Sequence, residues 1–492
     1  MSNVPSLIRA LQEGHLSRRD FIRRLLALGL SVSAVGSLLS QTARAQGATA
    51  IQWWDIFLPL EPLHQEIWDA YTQEHPGVTV RYTLQNDPGM GEALQLAFRS
   101  GQAPDVHSLS GLSVPASALY REGWFAPLGP APEWRTGVLA GNLFEGVTVF
   151  GGQVYSFPTF STRWNTTSNW FNRELLTAAG LDPAGPRTWA EVHEAARAVT
   201  EGGGGRTYGL IMFLGYPERI GVQLTDLASV AGAPGETDPR TGAYLYDSEP
   251  FVQALEFLLT FQEEGSLHPS SLSLDSRQGR TRWAAGEAGM FFDGPWTAGV
   301  LRSSYPEVME SVGVAPVPVP EAGTPAYTYA GPPGGTWWVS SQSEQPEVAA
   351  DLLRRFTSRD YYVGLAEQMD QPPLDLSAAE EADVHPTYRA ALGFFQEMVR
   401  LAPSPVVKNA NVSQVLAEMR DITPGLGEIV QGVFSGALRD YRAALTDYTE
   451  QMTAERERAI GVVQEGGVEV SLDDWVFANW QPGEDYTPEK YG

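Results

Sequence analysis

Between residues 50 and 109 the apolar residues switch repeatedly between two spacings, and that switching leaves few architectures open to the chain. "AIQWW" (50–54) is a short apolar run suited to a buried strand. In "LHQEIWDAYTQEHPG" the residues Leu63, Ile67 and Tyr71 stand four apart on one helical face, and Pro76-Gly77 ends the helix. "VTVRYTL" alternates Val78, Val80, Tyr82 and Leu84, which is a strand. "GEALQLAFRSG" returns to helix and stops at Gly101, and "PDVHSL" (104–109) reads as a third strand. This βαβαβ order predicts an α/β fold with largely parallel sheets flanked by helices.

The pattern recurs along the 492 residues, a length that favours more than one domain. "RTWAEVHEAARAVTEGGGG" carries a capping box, Thr188 with Glu191, and sets Trp189, Val192 and Val199 along one face. "TYGLIMF" (207–213) is the strand that follows. "FVQALEFLLTFQEEG" (251–265) and "QPEVAADLLRRFTS" (345–358) are amphipathic helices, the second with Pro346 in its first turn. Residues 426–460 read as one long helical stretch. The acidic tail 465–492 is punctuated by Pro and Gly, and Trp475, Phe477 and Trp480 favour its docking on the body, since a contiguous exposed apolar patch is unfavourable.

The amino terminus has the order of an export signal. Arg18 and Arg19 form a pair, Phe21 and Ile22 follow, and an interrupted apolar stretch from Leu25 to Leu39 is too weak for a membrane span. Ala43-Arg44-Ala45 has the small-x-small pattern that precedes cleavage. Residues 1–45 resemble a twin-arginine (Tat) signal, which implies the Tat translocase as a transient partner and delivery to the periplasm or the cell exterior. The whole chain carries a formal charge of −26. Residues 1–45 hold six arginines against one Glu and one Asp, so the remainder carries −30. Such a surface repels phosphate and argues against nucleic acid as a partner. The chain has no cysteine, which excludes disulfides, thiolate metal sites and cysteine nucleophiles.

Several stretches then fall in order. "PGVTV" is followed by "GQAPDVHSL", "ALYREGWFAPL", "YSFPTFSTRWNTTSNWFNRELLTAAGLDPAGPRTWAEVHEAA", "GEAGMFFDGPW" and "GGTWWVSSQSEQPEVAADLLRRFTS". Across about residues 48–460 this set resembles the family 1 extracellular solute-binding proteins, the receptors of ABC sugar importers related to maltose-binding protein. The resemblance implies a monomer of two α/β lobes with a ligand cleft at the hinge. Lobe I would comprise 48–157 plus 316–368, and lobe II 158–315 plus 369–460. It further implies a carbohydrate ligand, delivery to the permease subunits of an ABC transporter, no enzymatic activity and no cofactor.

A sugar offers hydroxyls at its edge and C–H groups on its faces, so its site needs aromatic platforms and side-chain hydrogen bonds. In "FFDGPW" the strand stops at a Gly-Pro turn, and the family places the following tryptophan, here Trp296, against the sugar. Trp53, Trp54 and Asp55 end the first strand; alternation sends one indole to the core, so the other, or Asp55, can reach the cleft. In "GGTWW" Thr336 or Trp337 can face ligand, with Trp338 in the core. Phe160, Arg163 and Trp164 follow "YSFP", where the family crosses between lobes, although no carboxylate stands there. Tyr216 offers a second platform, and Ser108 and Ser110 can meet hydroxyls. The histidines at 64, 75, 107, 193, 268 and 385 make no HExxH or close ligand pair, and neither a P-loop nor a GxSxG elbow occurs. Two other readings stay open: an exported glycoside hydrolase, and a receptor of the same fold for a cation such as a polyamine.

Overall fold

Strand β1 (Thr49–Asp55) buries Ile51, Trp53 and Asp55 and leaves Ala50, Gln52 and Trp54 partly covered. Of the two adjacent indoles, Trp53 therefore points inward and Trp54 to the opposite face. The computed structural model describes residues 49–57, 60–85, 89–112 and 114–491; Arg18 and Arg19 lie outside the described residues. Besides three two-residue strands between Val149 and Phe157, the strands are, after β1, β2 (Val78–Leu84), β3 (Val106–His107), β4 (Phe125–Ala126), β5 (Ser168–Asn172), β6 (Tyr208–Leu210), β7 (Ala288–Asp293), β8 (Val312–Ala315), β9 (Thr328–Ala330), β10 (Trp337–Ser340) and β11 (Val399–Leu401).

The chain divides into two units. Among the described residues, the first takes 49–112, Gly123–Gly129 and Trp337–Phe356, and the second Val114–Glu122, Pro130–Thr336 and 357–491. In the first unit the strands run β2-β1-β3-β10-β4. β1 is parallel to β2 and β3, and β10 runs against both β3 and β4. In the second unit the order is β8-β5-β7-β6, with β5 antiparallel to β8 and β7, and β7 parallel to β6. Each sheet is thus parallel but for one strand, the arrangement that the alternating sequence pattern implies. β7 is buried along all six of its residues, as a strand covered on both faces should be.

The division differs from the lobes expected from sequence. Residues 114–122 and 130–157, expected in lobe I, belong to the second unit, as do 316–336 and 357–368. The first of these segments packs on the carboxyl-terminal helices: Arg121 donates to Ser413 Oγ at 2.9 Å. The Gly146 backbone also lies so close to the Val406 carbonyl that a Cβ there would sit 2.8 Å away.

Local signals explain most helix boundaries. Thr188 Oγ1 accepts from the Glu191 N–H at 3.2 Å while Glu191 Oε2 accepts from the Thr188 N–H at 2.9 Å, the reciprocal cap read from sequence. Pro346 opens Pro346–Arg354. Three elements are shorter than expected. "PDVHSL" keeps only Val106–His107 as strand, after a proline that has no N–H to donate. "TYGLIMF" narrows to Tyr208–Leu210, because Met212 turns its N–H to Ser271 Oγ at 3.1 Å. The stretch 426–460 splits into Leu426–Phe434 and Tyr441–Glu465, interrupted at Gly436 with φ of 74°.

The acidic tail is a docked strap on the second unit. Phe477, Trp480 and Tyr486 are buried, with Tyr329 and Tyr491 packed against them. Tyr486 donates its N–H to the Leu401 carbonyl at 2.8 Å, Arg400 Nε donates to the Gly483 carbonyl at 2.8 Å, and Lys408 Nζ donates to the carbonyls of Asp473 and Val476 at 2.6 and 2.7 Å. Trp475 closes on Arg456, whose guanidinium is 2% exposed and lies 5.5 Å from the Trp475 ring and 4.3 Å from that of Tyr244. Burial lowers the pKa of this guanidinium, and the π faces of its aromatic neighbours stabilise its charge.

Candidate functional site

Each unit has a strand that ends on a fully buried aspartate, and the two aspartates organise the aromatic residues singled out in the sequence. In the first unit Asp55 closes β1. Its Oδ2 accepts from Trp53 Nε1 at 2.9 Å and Trp337 Nε1 at 3.2 Å, and its Oδ1 accepts from Tyr82 Oη at 2.8 Å and the Phe57 N–H at 3.0 Å. His64 Nδ1 lies 4.0 Å away, but burial pushes its pKa down to about 3, so at neutral pH this is not an ion pair. Trp53, Trp68, Trp337 and Phe356 pack around this node with ring centroids 4.9–5.4 Å apart, edge to face except for the tilted Trp53–Phe356 pair. Trp53, Asp55 and Trp337 are all 0% exposed. Trp53 is thus the indole that alternation sends to the core, and Asp55 and Trp337, each offered by the sequence as one alternative at the ligand, lie in the core of this unit with it: four donors occupy the carboxylate and the indoles enclose it.

Around the same sheet Trp54 remains half-buried on the outer face of β1. Ser108 is buried, donates its N–H to the Trp54 carbonyl at 3.1 Å and its hydroxyl to Ser110 Oγ at 3.3 Å. Trp54 and Ser110 are the side chains here with surface left to offer.

In the second unit Asp293 closes β7, directly before the Gly-Pro turn. Its Oδ1 accepts from Arg219 Nη1 at 3.0 Å, the Gly294 N–H at 2.8 Å and Trp296 Nε1 at 3.1 Å. Its Oδ2 takes a fork from Arg280, with Nε and Nη2 each at 2.7 Å. The Trp296 indole folds back over Gly294; a Cβ at 294 would overlap the ring, so the glycine in "DGPW" is required for this conformation. One side of Trp296 carries the Arg219 guanidinium, 4.6 Å from the ring centroid, and Trp164 meets it edge-on at 5.4 Å and 76°. Arg219 also lies 5.6 Å from the ring of Tyr216, which is 39% exposed. Trp296 and Trp164 are each half-buried.

The result is an aromatic wall, Tyr216–Arg219–Trp296–Trp164, braced from behind by ions that already have partners. Asp226 accepts from the Thr166 N–H at 3.1 Å and from Thr167 Oγ1 at 2.7 Å, yet burial outweighs these bonds and pushes its pKa up to about 6. Asp370 is also raised by burial, opposed by the charge of Arg280. Arg219, Arg280 and Asp293 were not apparent from sequence. Arg280 sits in "SRQGRTRW", a helix polar enough to read as solvated, and only the turn that brings it under β7 reveals its role.

The remaining expected residues divide. Thr336 is buried and faces Thr159, accepting its N–H at 3.0 Å and sharing a hydroxyl hydrogen bond at 2.9 Å. Phe160 is half-buried and bridges to Pro373. Arg163 is committed elsewhere: its two Nη atoms reach Asp485 at 3.0 and 2.6 Å, and Nη1 also donates to the Val399 carbonyl at 2.9 Å. Among the described residues no group of three or more His, Cys, Asp or Glu is placed to hold a metal ion.

The sequence pattern of the bacterial extracellular solute-binding proteins matches residues 59–363. The sn-glycerol-3-phosphate-binding periplasmic protein UgpB of Agrobacterium fabrum is 22% identical over 446 residues, covering 85% of this chain and 95% of that one. A probable ABC transporter-binding protein of Deinococcus radiodurans is 24% identical over 272 residues, covering 54% of this chain and 60% of its own. Among solved structures, the GacH receptor of Streptomyces glaucescens, determined unliganded and with acarbose, aligns with a TM-score of 0.62 at 19% identity, over 83% of this chain and 99% of that one. The sugar-binding protein MalE of Xanthomonas citri aligns at 0.61 and 18% identity, over 86% of this chain and 100% of that one.

Proposed function

Because this chain belongs to the bacterial extracellular solute-binding protein family, we propose that it captures a neutral carbohydrate outside the cytoplasm and presents it to the permease of an ABC importer. The aromatic wall of the second unit carries this reading. Trp296 is half-buried, fixed through its N–H, and offers ring surface of the kind that stacks on sugar C–H groups. Arg219 beside it and Arg280 behind share Asp293, with Asp226 and Asp370 also close enough to interact with them, and this local surplus of carboxylates favours an uncharged ligand over a phosphate. Asp55 and Asp293 are enclosed and fully hydrogen-bonded, so neither is presented as a nucleophile or as a carboxylate for a polyamine.

Calorimetric titration with maltose, maltotriose and sn-glycerol 3-phosphate, followed by recovery of the ligand, tests the proposal. The expected result is saturable binding of a neutral saccharide that is recovered uncleaved and whose affinity is insensitive to chelator. Binding of glycerol phosphate alone, or time-dependent release of reducing ends, would overturn it.

Export by the Tat route is part of the same proposal and rests on Arg18 and Arg19 ahead of the apolar run. Replacing both by Lys should leave the precursor in the cytoplasm, as read by fractionation. Undiminished recovery outside the cytoplasm would refute that route.

A further inference from the structure

The strap lies well beyond the family match, which ends at residue 363. Its aromatic anchors explain why it docks, but not why a carboxylate is carried at position 485. Asp485 Oδ1 accepts the Leu401 N–H at 2.8 Å and Arg163 Nη1 at 3.0 Å, and its Oδ2 accepts Arg163 Nη2 at 2.6 Å. Arg163 adds the Val399 carbonyl at 2.9 Å, so its fork is held by β11 and the strap together. The pairing with Arg163 and the Leu401 N–H keep Asp485 below the usual carboxylate range against the opposing effect of burial.

Arg163 lies in the turn that carries Trp164. That turn is tied at its start, where Ser161 donates its N–H to the Pro372 carbonyl at 2.9 Å, and at its end, where Thr166 and Thr167 reach Asp226. Between those ties Arg163 anchors the turn through Asp485 and the Val399 carbonyl, one residue from the Trp164 indole, which packs on the core of the second unit and meets Trp296 edge-on. A planar guanidinium gripped at two atoms fixes orientation as well as distance, which a single charge contact does not.

We propose that Asp485 of the carboxyl-terminal strap is a positioning residue for the aromatic wall: it orients Arg163, and through Arg163 the turn that sets Trp164 against Trp296. The geometric statement stands on these contacts; its consequence for ligand affinity rests on the reading of Trp296 as the sugar platform.

The experiment uses the full chain and two readouts. Coupled indoles give a far-ultraviolet circular dichroism couplet, assigned here to the Trp164–Trp296 pair by its loss in Trp164→Phe and in Trp296→Phe. Asp485→Asn and Arg163→Lys, which keep shape or charge but lose the fork, should each diminish the couplet. Each should also weaken maltotriose binding by about threefold to tenfold, within the range expected for a charge-assisted pair acting at one remove. In the Trp164→Phe background Asp485→Asn should have no further effect on affinity. A full couplet in both variants, or an equal loss of affinity with and without Trp164, would show that the strap only stabilises the fold. A diminished couplet in a protein whose unaltered form binds no saccharide would uphold the positioning role and overturn the carbohydrate reading.

Discussion

Replacing Trp296 by Ala is expected to weaken saccharide binding by at least an order of magnitude while barely lowering the melting temperature of the ligand-free protein. The ring is half-buried, and its contacts include the Arg219 guanidinium, the Trp164 edge and one Asp293 oxygen. Removing a well-placed interface aromatic commonly costs about 2 kcal/mol or more. That is roughly 30-fold in dissociation constant at about 1.4 kcal/mol per decade. Asp293 keeps both arginines in the variant, so the brace behind the wall survives. Titration and a melting curve on the same protein decide the matter: retained affinity with a large fall in melting temperature would make Trp296 a packing residue.

Trp53→Ala is expected to do the reverse. Its indole is 0% exposed, contacts Trp68, Trp337 and Phe356, and supplies one of the four donors on Asp55. Truncating a core tryptophan costs roughly 3–5 kcal/mol through lost burial and the cavity left behind. The buried carboxylate also loses a partner, which adds to the penalty. Denaturant unfolding followed by signals from the first unit should show an early transition. Ligand affinity measured where the variant is still folded should change far less than in Trp296→Ala. A stable variant that no longer binds sugar would place Trp53 at the ligand after all.

The contrast between these tryptophans shows what the sequence could and could not disclose. Periodicity located β1, β2 and the capped helix Trp189–Gly202, because burial on one face and caps at the ends are local matters. The break after Asp293 was legible for the same reason, since Gly and Pro end a strand by themselves. Alternation established that one of Trp53 and Trp54 faces inward but not which, since that depends on the register of β1 against Tyr82 and on Trp337, 282 residues from Asp55. Arg163 and Trp164 are neighbours in sequence and were grouped together, yet Arg163 is held by Asp485, 322 residues away. Partnerships over such separations leave no periodic trace, which is why the inward turn of Trp53 and the contacts of Arg219 and Arg280 with Asp293 could not be read from the sequence.

The position of β10 also bears on how the molecule comes into being. It lies between β3 and β4, yet Trp337 stands 211 residues beyond Ala126 in the chain. A polypeptide emerging from the ribosome therefore presents β1 to β4 long before the strand that joins β3 to β4 exists. The entropic charge for closing so long a loop grows only as the logarithm of its length, but the wait is set by synthesis itself. The unit that begins the polypeptide is consequently finished late, after most of the other unit has been made. Until then the edges of β3 and β4 lack the strand that separates them, and unpaired edges of that kind are open to mispairing.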